Sequence, residues 1–197
     1  MITRPLEINE YESILKIALN GVRLNDKSVF RRSPRLALVF QLQAYLGLRL
    51  GDVLNLTYNS LKNGKLEIIE KKTGKLQYRD ISPDIVNIVK DWVIENRLEV
   101  NDKLFRVKRC AINKQLKLIT NYLGLKNIST HSFRKMFATQ IYEKHGNNIE
   151  LLKELLNHTS IATTQKYIRV SQAKINEASR NVDFPIYRVN QSSLHIL

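Results

Sequence analysis

The segment from Leu36 to Leu46 constrains the fold of this chain more than any other, because it is apolar on most sides. Ser33 and Pro34 before it are a favourable N-cap and first helical residue, and Gly47 after it is a favourable helix end. A helix that is apolar all round is stable only when other elements cover it. The sequence therefore predicts a central, buried helix with the rest of the chain folded around it.

Most of the remaining chain has apolar residues at three- and four-residue steps, which is the periodicity of amphipathic helices. These steps predict helices at 8–20, 83–97, 109–123, 131–145, 149–157, 160–169 and 171–180. A polar connector links the first of them to the central helix. Residues 64–82 differ, because apolar residues there alternate around a Thr73-Gly74 turn and predict a short hairpin. The predicted fold class is therefore mainly α with a small antiparallel β-sheet (α+β).

The charge of the chain is strongly positive, with 32 Lys and Arg against 18 Asp and Glu and a formal net charge of +14. Such an excess favours a polyanionic partner, most often nucleic acid, over a merely soluble basic protein. The basic residues also cluster, at Arg31, Arg32 and Arg35, at Lys71, Lys72, Lys75 and Arg79, and at Lys103, Arg106, Lys108 and Arg109. Clustering indicates an electrostatic footprint for a phosphate backbone. We predict DNA contacts by Lys71, Lys75, Arg79, Lys108, Arg109 and Lys135.

Cysteine content and apolar runs indicate the compartment. Cys110 is the only cysteine, so no internal disulfide can form and a reducing compartment fits. The first residues lead into a charged stretch and not into the apolar core of a signal peptide. No apolar run approaches the length of a membrane span. We expect a cytoplasmic protein without a membrane partner.

Six polar residues in the middle of the chain have side chains suited to cutting a phosphodiester: Arg49, Lys72, His131, Arg134, His158 and Tyr167. Two guanidinium groups and an ammonium can bind and neutralise one phosphodiester, and arginine does so with a planar fork. Two imidazoles can position and exchange protons, and a phenol can attack phosphorus. Together these groups can break a DNA strand through a covalent phosphotyrosine, without a metal ion or a nucleotide.

The first arginine and the His-x-x-Arg string each have a favourable local setting. Thr130 is the expected N-cap of a helix that begins at His131, which puts His131 and Arg134 on one face of the first turn. Backbone N–H groups and the helix dipole favour an anion at that position. Arg49 stands beside a buried helix end, where Asp52 is its partner in a purely structural role and a phosphate is its partner in a functional one.

Each of the other candidates also has an ordinary structural explanation. Lys72 stands at a hairpin tip, where lysines are common, and His158 closes an apolar helix, where histidine often interacts with the dipole. Tyr167 can simply pack its ring on a neighbour. A nucleophilic phenol, whose usual pKa is about 10, needs cationic neighbours that favour its ionised form. Arg49, Arg134 and His158 meet that need only if the fold brings them to Tyr167.

In this order the residues resemble the catalytic domain of the tyrosine recombinases, the phage-integrase family, over residues 36–168. The string 46–56 resembles the first arginine box of that family, 131–134 resembles its His-x-x-Arg box, and 155–167 resembles its His-to-Tyr segment. The His-x-x-Arg string is unspecific alone, whereas the ordered set is specific. The resemblance implies a mostly helical DNA breaking-rejoining fold with a small sheet on one side.

The resemblance also implies a role for each candidate. Tyr167 is the nucleophile, which forms a 3′-phosphotyrosyl link and frees a 5′-hydroxyl, and Lys72 protonates the leaving oxygen. Arg49 and Arg134 bind the scissile phosphate, and the two histidines assist binding and proton transfer. No cofactor or metal is implied. The implied protein is a bacterial or phage-encoded, nucleoid-associated recombinase that acts on double-stranded DNA as a homotetramer, is a monomer when free, and integrates or excises a mobile element.

Two features depart from the family pattern. Asn157 stands before His158 where the family usually has glycine, and asparagine tolerates similar backbone angles. Most members also carry a separate N-terminal helical domain, whereas only residues 1–30 precede the first core helix here. We therefore expect a catalytic fragment or a short form that depends on a partner or a tetramer. The predicted organisation is an N-terminal helix and connector (1–30), the catalytic domain (31–170), and a C-terminal helix and tail (171–197) that docks on a neighbouring subunit.

Three rival functions fit part of the pattern. A relaxing or resolving enzyme such as a type IB topoisomerase uses similar chemistry without exchanging partners, and the chain length and the His158 segment favour a recombinase. A catalytically silent DNA-binding regulator on the same fold has no use for Tyr167 or Lys72. A metal site formed by His131, His145 and His158 lacks carboxylate spacing and the HExxH pattern.

Overall fold

The computed structural model describes residues 3–25, 27–168, 176, 179 and 180. Its elements in chain order are α1 (Ile8–Asn20), β1 (Val22–Arg23), β2 (Val29–Phe30), α2 (Pro34–Leu46), α3 (Leu50–Val53), a 3₁₀ helix (Tyr58–Gly64), β3 (Lys65–Ile69), β4 (Leu76–Asp80), α4 (Pro83–Glu95), α5 (Arg109–Tyr122), α6 (Thr130–Lys144), α7 (Ile149–Leu155) and α8 (Ile161–Gln165). The mainly helical class with a small antiparallel sheet is confirmed. None of the described helices combines the length and the apolar character needed to span a bilayer.

Helix α2 is the central element, as its composition predicted. It begins at Pro34, and Gly47 ends it with a left-handed backbone (φ 59°). Phe40 of α2 stacks on Phe133 of α6 with their ring centroids 4.5 Å apart, and Tyr11 of α1 makes an edge-to-face contact with Phe133 at 6.2 Å. Each buried side chain of this size contributes about 2 kcal/mol of transfer free energy. The helix therefore ties α1 and α6 into one core.

The hairpin also matches the sequence prediction. Strands β3 and β4 pair antiparallel from Lys65 opposite Asp80 to Ile69 opposite Leu76, and residues 70–75 form the turn. The side-chain amide of Gln77 donates to the backbone carbonyl of Leu155 at 3.0 Å, which fastens the hairpin to the end of α7. The hairpin turn is therefore held beside the helices that carry the candidate site.

The structure differs from the local predictions at three places. The connector after α1 contains the two-residue pair of β1 and β2, too short to give an alternating pattern. The N-cap of α6 is Ser129 and not Thr130, because Ser129 and Ser132 form a reciprocal capping box that starts the helix one residue earlier. The predicted helix 160–169 ends at Gln165.

The predicted helix 171–180 and the predicted docking tail 171–197 fall almost wholly outside the described residues, and the division of the chain stays a prediction.

Candidate active site

Arg134 is at the centre of the site, and its side chain is fully buried. Its Nη1 donates to the carbonyl of Gly47 at 2.7 Å, and its Nη2 donates to the carbonyl of Leu156 at 2.8 Å and to Nε2 of His158 at 3.2 Å. Its Nε is buried without a hydrogen-bond partner among the described residues. Since a guanidinium has five N–H groups, Nε–H and one Nη1–H remain available for an anion.

His158 has its tautomer fixed by its neighbours. Arginine can only donate, so Nε2 of His158 accepts from Arg134 and the ring proton is on Nδ1. Nδ1 lies 3.1 Å from the hydroxyl of Thr164, which is fully buried and accepts that proton. Burial and then the charges of Arg134 and Arg49 lower the pKa of His158 to about 4. The ring is therefore neutral at pH 7 and holds the Arg134 guanidinium in place.

Tyr167 follows α8 and packs against the same two side chains. Its ring centroid lies 4.9 Å from that of His158, and Cζ of Arg134 and Nζ of Lys135 each lie 5.8 Å from it. The ring also packs against a small apolar cluster that includes Phe137 and Leu156. The structure thus brings Arg134, His158 and Tyr167 together, although 33 positions separate the first from the last in the sequence.

Arg49 is the N-cap of α3, and its partner differs from the one expected. Its Nη1 donates to Oε2 of Glu70 at 2.7 Å, and only 15% of its side chain is exposed. Asp52, the expected partner, instead accepts a hydrogen bond at 2.9 Å from the backbone N–H of Lys71. Burial lowers the pKa of both Arg134 and His158, and the charge of Arg49 lowers both further. Arg49 therefore belongs to the same cluster, and Glu70 is the functional candidate that the sequence did not reveal.

Lys72 is the candidate that the structure joins least to the others. It is exposed in the turn between β3 and β4, and no hydrogen bond or ion pair of its side chain is found in the described part of the chain. The turn itself is fixed, because the Thr73 hydroxyl donates to Oε2 of Glu70 at 2.7 Å. Lys72 is therefore the sequence neighbour of Thr73, whose side chain is hydrogen-bonded to Glu70, the partner of Arg49.

His131 lies at the start of α6 with an exposed side chain. The protein packed around its ring lowers its pKa, and the charges of Arg134 and Arg109 lower the pKa further. The residue borders an open groove of about 1020 Å³ that is also lined by Arg109 and Lys117. His131 is thus placed between the buried arginine cluster and a basic surface.

The predicted DNA contacts fall into two groups. Four are exposed and keep the surface position that their clusters indicated: Lys71, Lys75, Lys108 and Arg109. Lys135 donates from Nζ to the carbonyl of Thr3 at 2.6 Å. Arg79 is less exposed than expected: it is half-buried, it donates to the carbonyl of Leu46, and its guanidinium lies 5.5 Å from the Phe137 ring centroid. Burial and then the charge of Arg134 lower the pKa of Arg79 to about 10.

The rival metal site has no geometric support. His131 and His145 lie at opposite ends of α6, fourteen positions apart, which is about 21 Å along the helix axis. Among the described residues, no group of three or more His, Cys, Asp and Glu side chains is placed to hold a metal ion.

The sequence matches the family model described as the phage integrase family over residues 4–174. A tyrosine recombinase XerC of Rickettsia peacockii (strain Rustic) is 31% identical over 149 residues, which are 71% of this chain and 48% of the relative. XerC of Rickettsia canadensis (strain McKiel) is 30% identical over 134 residues, 64% of this chain and 44% of the relative. The chain spans about half the length of the curated relatives that it matches.

Solved structures extend the likeness to the fold. The XerH site-specific recombinase bound to its palindromic difH substrate, in a post-cleavage complex, superposes with a TM-score of 0.71 and 26% identity over 90% of this chain and 52% of that chain. The catalytic domain of bacteriophage HP1 integrase superposes with a TM-score of 0.62 and 19% identity over 91% of this chain and 95% of that chain. Because HP1 is matched almost from end to end, the described fold is that of such a catalytic domain.

Proposed function

Since the chain belongs to the phage integrase family, we propose that it breaks and rejoins strands of double-stranded DNA through a 3′-phosphotyrosyl intermediate on Tyr167. One observation carries the proposal: the Tyr167 ring packs on His158 and lies over the guanidinium of Arg134. A phenol packed only for stability needs neither neighbour. A phenol that attacks phosphorus needs a phosphate-binding cation beside it.

The two arginines are the phosphate-binding groups of the proposal. Arg134 offers Nε–H and one Nη1–H, and Arg49 keeps Nε and Nη2 beyond the Nη1 that contacts Glu70. When the phenol oxygen adds to phosphorus, negative charge grows on the equatorial oxygens. Preformed cationic donors stabilise that charge more than they stabilise the ground state. Loss of one such donor typically costs a factor of 10² to 10³ in rate.

The proposed chemical step balances without a cofactor. A bond forms between the Tyr167 oxygen and phosphorus, and the bond from phosphorus to the 5′ oxygen breaks. His131, whose lowered pKa keeps it neutral at pH 7, accepts the phenolic proton. Lys72 gives a proton to the departing 5′ oxygen. Attack by a DNA 5′-hydroxyl on the phosphotyrosine reverses the step and rejoins a strand.

Access to Arg134 requires a local rearrangement. The side chain is fully buried in the free protein, so a DNA phosphate cannot reach it without displacing groups that cover it. Tyr167 is one of them, because its ring lies 5.8 Å from Cζ of Arg134. We propose that DNA binding shifts the segment around Tyr167, so that its phenol no longer covers Arg134 and can attack the phosphate that Arg134 binds.

The substrate and the assembly are carried over from the relatives as part of the proposal. XerH was solved on difH DNA, both before and after cleavage. For this chain we propose double-stranded DNA as substrate, with exposed Lys71, Lys75, Lys108 and Arg109 on the phosphate backbone. A tetramer on DNA, action in the cytoplasm and a role in a mobile element remain predictions.

The test is covalent trapping on a nicked suicide duplex, run over a panel of candidate attachment sequences. The native protein is expected to give a covalent protein–DNA adduct on a denaturing gel, and Tyr167→Phe is expected to bind DNA without forming it. Tyr142→Phe is the matched control, because Tyr142 packs on the same apolar cluster and has no proposed role. An adduct formed by Tyr167→Phe would refute the proposal. Exchange of strands between two duplexes would then separate a recombinase from a relaxing enzyme.

A further inference from the structure

Glu70 is a buried carboxylate inside a cationic cluster. It directly follows β3, its side chain is fully buried, and its Oε2 accepts two hydrogen bonds, from Nη1 of Arg49 and from the hydroxyl of Thr73, both at 2.7 Å. Its Oε1 is buried without a hydrogen-bond partner among the described residues. An ionised carboxylate is costly to bury unless it is paired, so the contact with Arg49 holds it in this place.

The backbone of Glu70 also closes the turn that carries Lys72. Its N–H donates to the carbonyl of Lys75, and its carbonyl accepts from the N–H of Gly74, both at 2.9 Å. Asp52, three residues after Arg49, binds the same turn through the N–H of Lys71. The segment Arg49–Asp52 is therefore linked to the turn twice, and one of the two links is the Glu70 side chain.

We propose that Glu70 is a positioning residue that fixes the Lys72 turn relative to Arg49, so that the leaving-group acid and the phosphate-binding arginine act on the same phosphodiester. The inference rests on the proposed function. Glu70 acts through its two partners: it orients the fork of Arg49 by binding Nη1, and it orients the turn by binding Thr73, the neighbour of Lys72. Small misplacements of catalytic groups of this kind cost about 100-fold in rate.

A different role for Glu70 predicts the opposite change in cleavage rate when its carboxylate is removed. If Glu70 merely occupies Arg49 until a phosphate displaces it, removal of the carboxylate frees the arginine and speeds cleavage. If Glu70 positions the two groups, removal slows cleavage, and part of the loss concerns protonation of the leaving oxygen. A duplex with sulfur in place of the bridging 5′ oxygen isolates that part, because a thiolate leaves without a proton.

Three variants and two suicide duplexes make the test, one duplex with the ordinary phosphate and one with the 5′-bridging sulfur. Thr73→Val removes only the link to the turn: we expect about a tenfold slower cleavage of the ordinary duplex and a rate within about threefold of the native protein on the sulfur duplex. Glu70→Leu removes both links and is expected to lose about 100-fold, with partial recovery on sulfur. Glu70→Gln keeps an acceptor oxygen for both partners and is expected to retain most of the rate.

Glu67→Leu is the matched control, because Glu67 is exposed on β3, the strand that Glu70 follows. This variant is expected to cleave both duplexes normally. Urea unfolding checks that each variant is folded, and Thr73→Val carries the test if Glu70→Leu is not. Faster cleavage by Glu70→Leu, an unchanged rate for Thr73→Val, or an equal loss for Thr73→Val on both duplexes would overturn the inference. Failure of the proposed function can be told apart from failure of this inference, since Tyr167→Phe would form an adduct only in the first case.

Discussion

Nη1 of Arg134 donates a hydrogen bond of 2.7 Å to the carbonyl of Gly47, the residue that ends the central helix. Arg79 donates to the carbonyl of Leu46 just before it. The last carbonyls of a helix lack partners within the helix, and here two guanidinium groups satisfy them. The end of the buried helix therefore fixes the position of the arginine at the centre of the candidate site.

Gly47 is expected to tolerate no side chain. Its φ of 59° is left-handed, and an added Cβ would overlap the ring of Phe137. We predict that Gly47→Ala lowers the free energy of unfolding by about 3 kcal/mol, from backbone strain and overpacking together, as measured by urea denaturation. Gly124→Ala is the control: its φ of 68° is similar but nothing lies within 4 Å, so about 1 kcal/mol of strain is expected. Equal losses at the two positions would contradict the role of Phe137.

Arg134→Lys is expected to slow cleavage of the suicide duplex by about 100-fold, which is about 3 kcal/mol of transition-state stabilisation. Lysine has no fork, so a single ammonium cannot hold Gly47, Leu156 and His158 and still bind a phosphate. The measurement is the rate of adduct formation at saturating protein. Arg23→Lys, at an exposed strand residue, is the control that should cleave normally. Near-native cleavage by Arg134→Lys would count against phosphate binding by this residue.

Much of the fold followed from periodicity, because helix burial leaves a strong pattern. The apolar run of α2 predicted a central helix, and the alternation around Thr73 predicted the hairpin. The β1–β2 pair has only two residues in each strand and leaves no such pattern. The start of α6 depended on a choice between Ser129 and Thr130, which have similar capping propensity. The reciprocal bond with Ser132 decides between them, and it exists only once the helix has formed.

The candidate site was predictable where its residues stand in ordered strings and not where a contact crosses elements. Arg49 had an obvious carboxylate three residues on, and Asp52 was the natural expectation for its partner. The actual partner, Glu70, is 21 residues away, directly after β3, and no motif indicated it. Arg79 was grouped with surface lysines because charge clustering does not record which side chain turns inward. The alternation of residues in β4 could have predicted this, since Gln77 and Arg79 are two positions apart and lie on the more buried face of that strand.

Arg134 is expected to set the tautomer of His158, and Thr164 is expected to accept the remaining ring proton. Because Nε2 faces the donor-only Arg134, the protein should hold the Nδ1–H form, which nitrogen-15 NMR of the imidazole ring can identify. Thr164→Val removes the acceptor for that proton and is expected to cost about 1 kcal/mol of stability and to shift the Nδ1 signal, while the Nδ1–H form persists because Arg134 still donates to Nε2. Thr163→Val, at a less buried neighbour, is the control that should leave the ring signals unchanged. A dominant Nε2–H form in the native protein would contradict the assignment.

His158 should also make the protein sensitive to acid. Its pKa of about 4 in the folded state lies below the usual value of about 6.5, so the unfolded chain binds a proton more readily between these pH values. Stability from the neutral ring is complete above pH 6.5 and is lost as the pH falls towards 4. At pH 4.5 this group alone is expected to cost roughly 2 kcal/mol of unfolding free energy relative to pH 7. Urea unfolding at the two pH values should therefore show that His158→Gln loses less unfolding free energy in acid than the native protein does. The control is His145→Gln, at an exposed histidine, which should lose as much as the native protein. If all three proteins lost the same unfolding free energy in acid, burial and the charge of Arg134 would not lower the pKa of His158, and the prediction would be wrong.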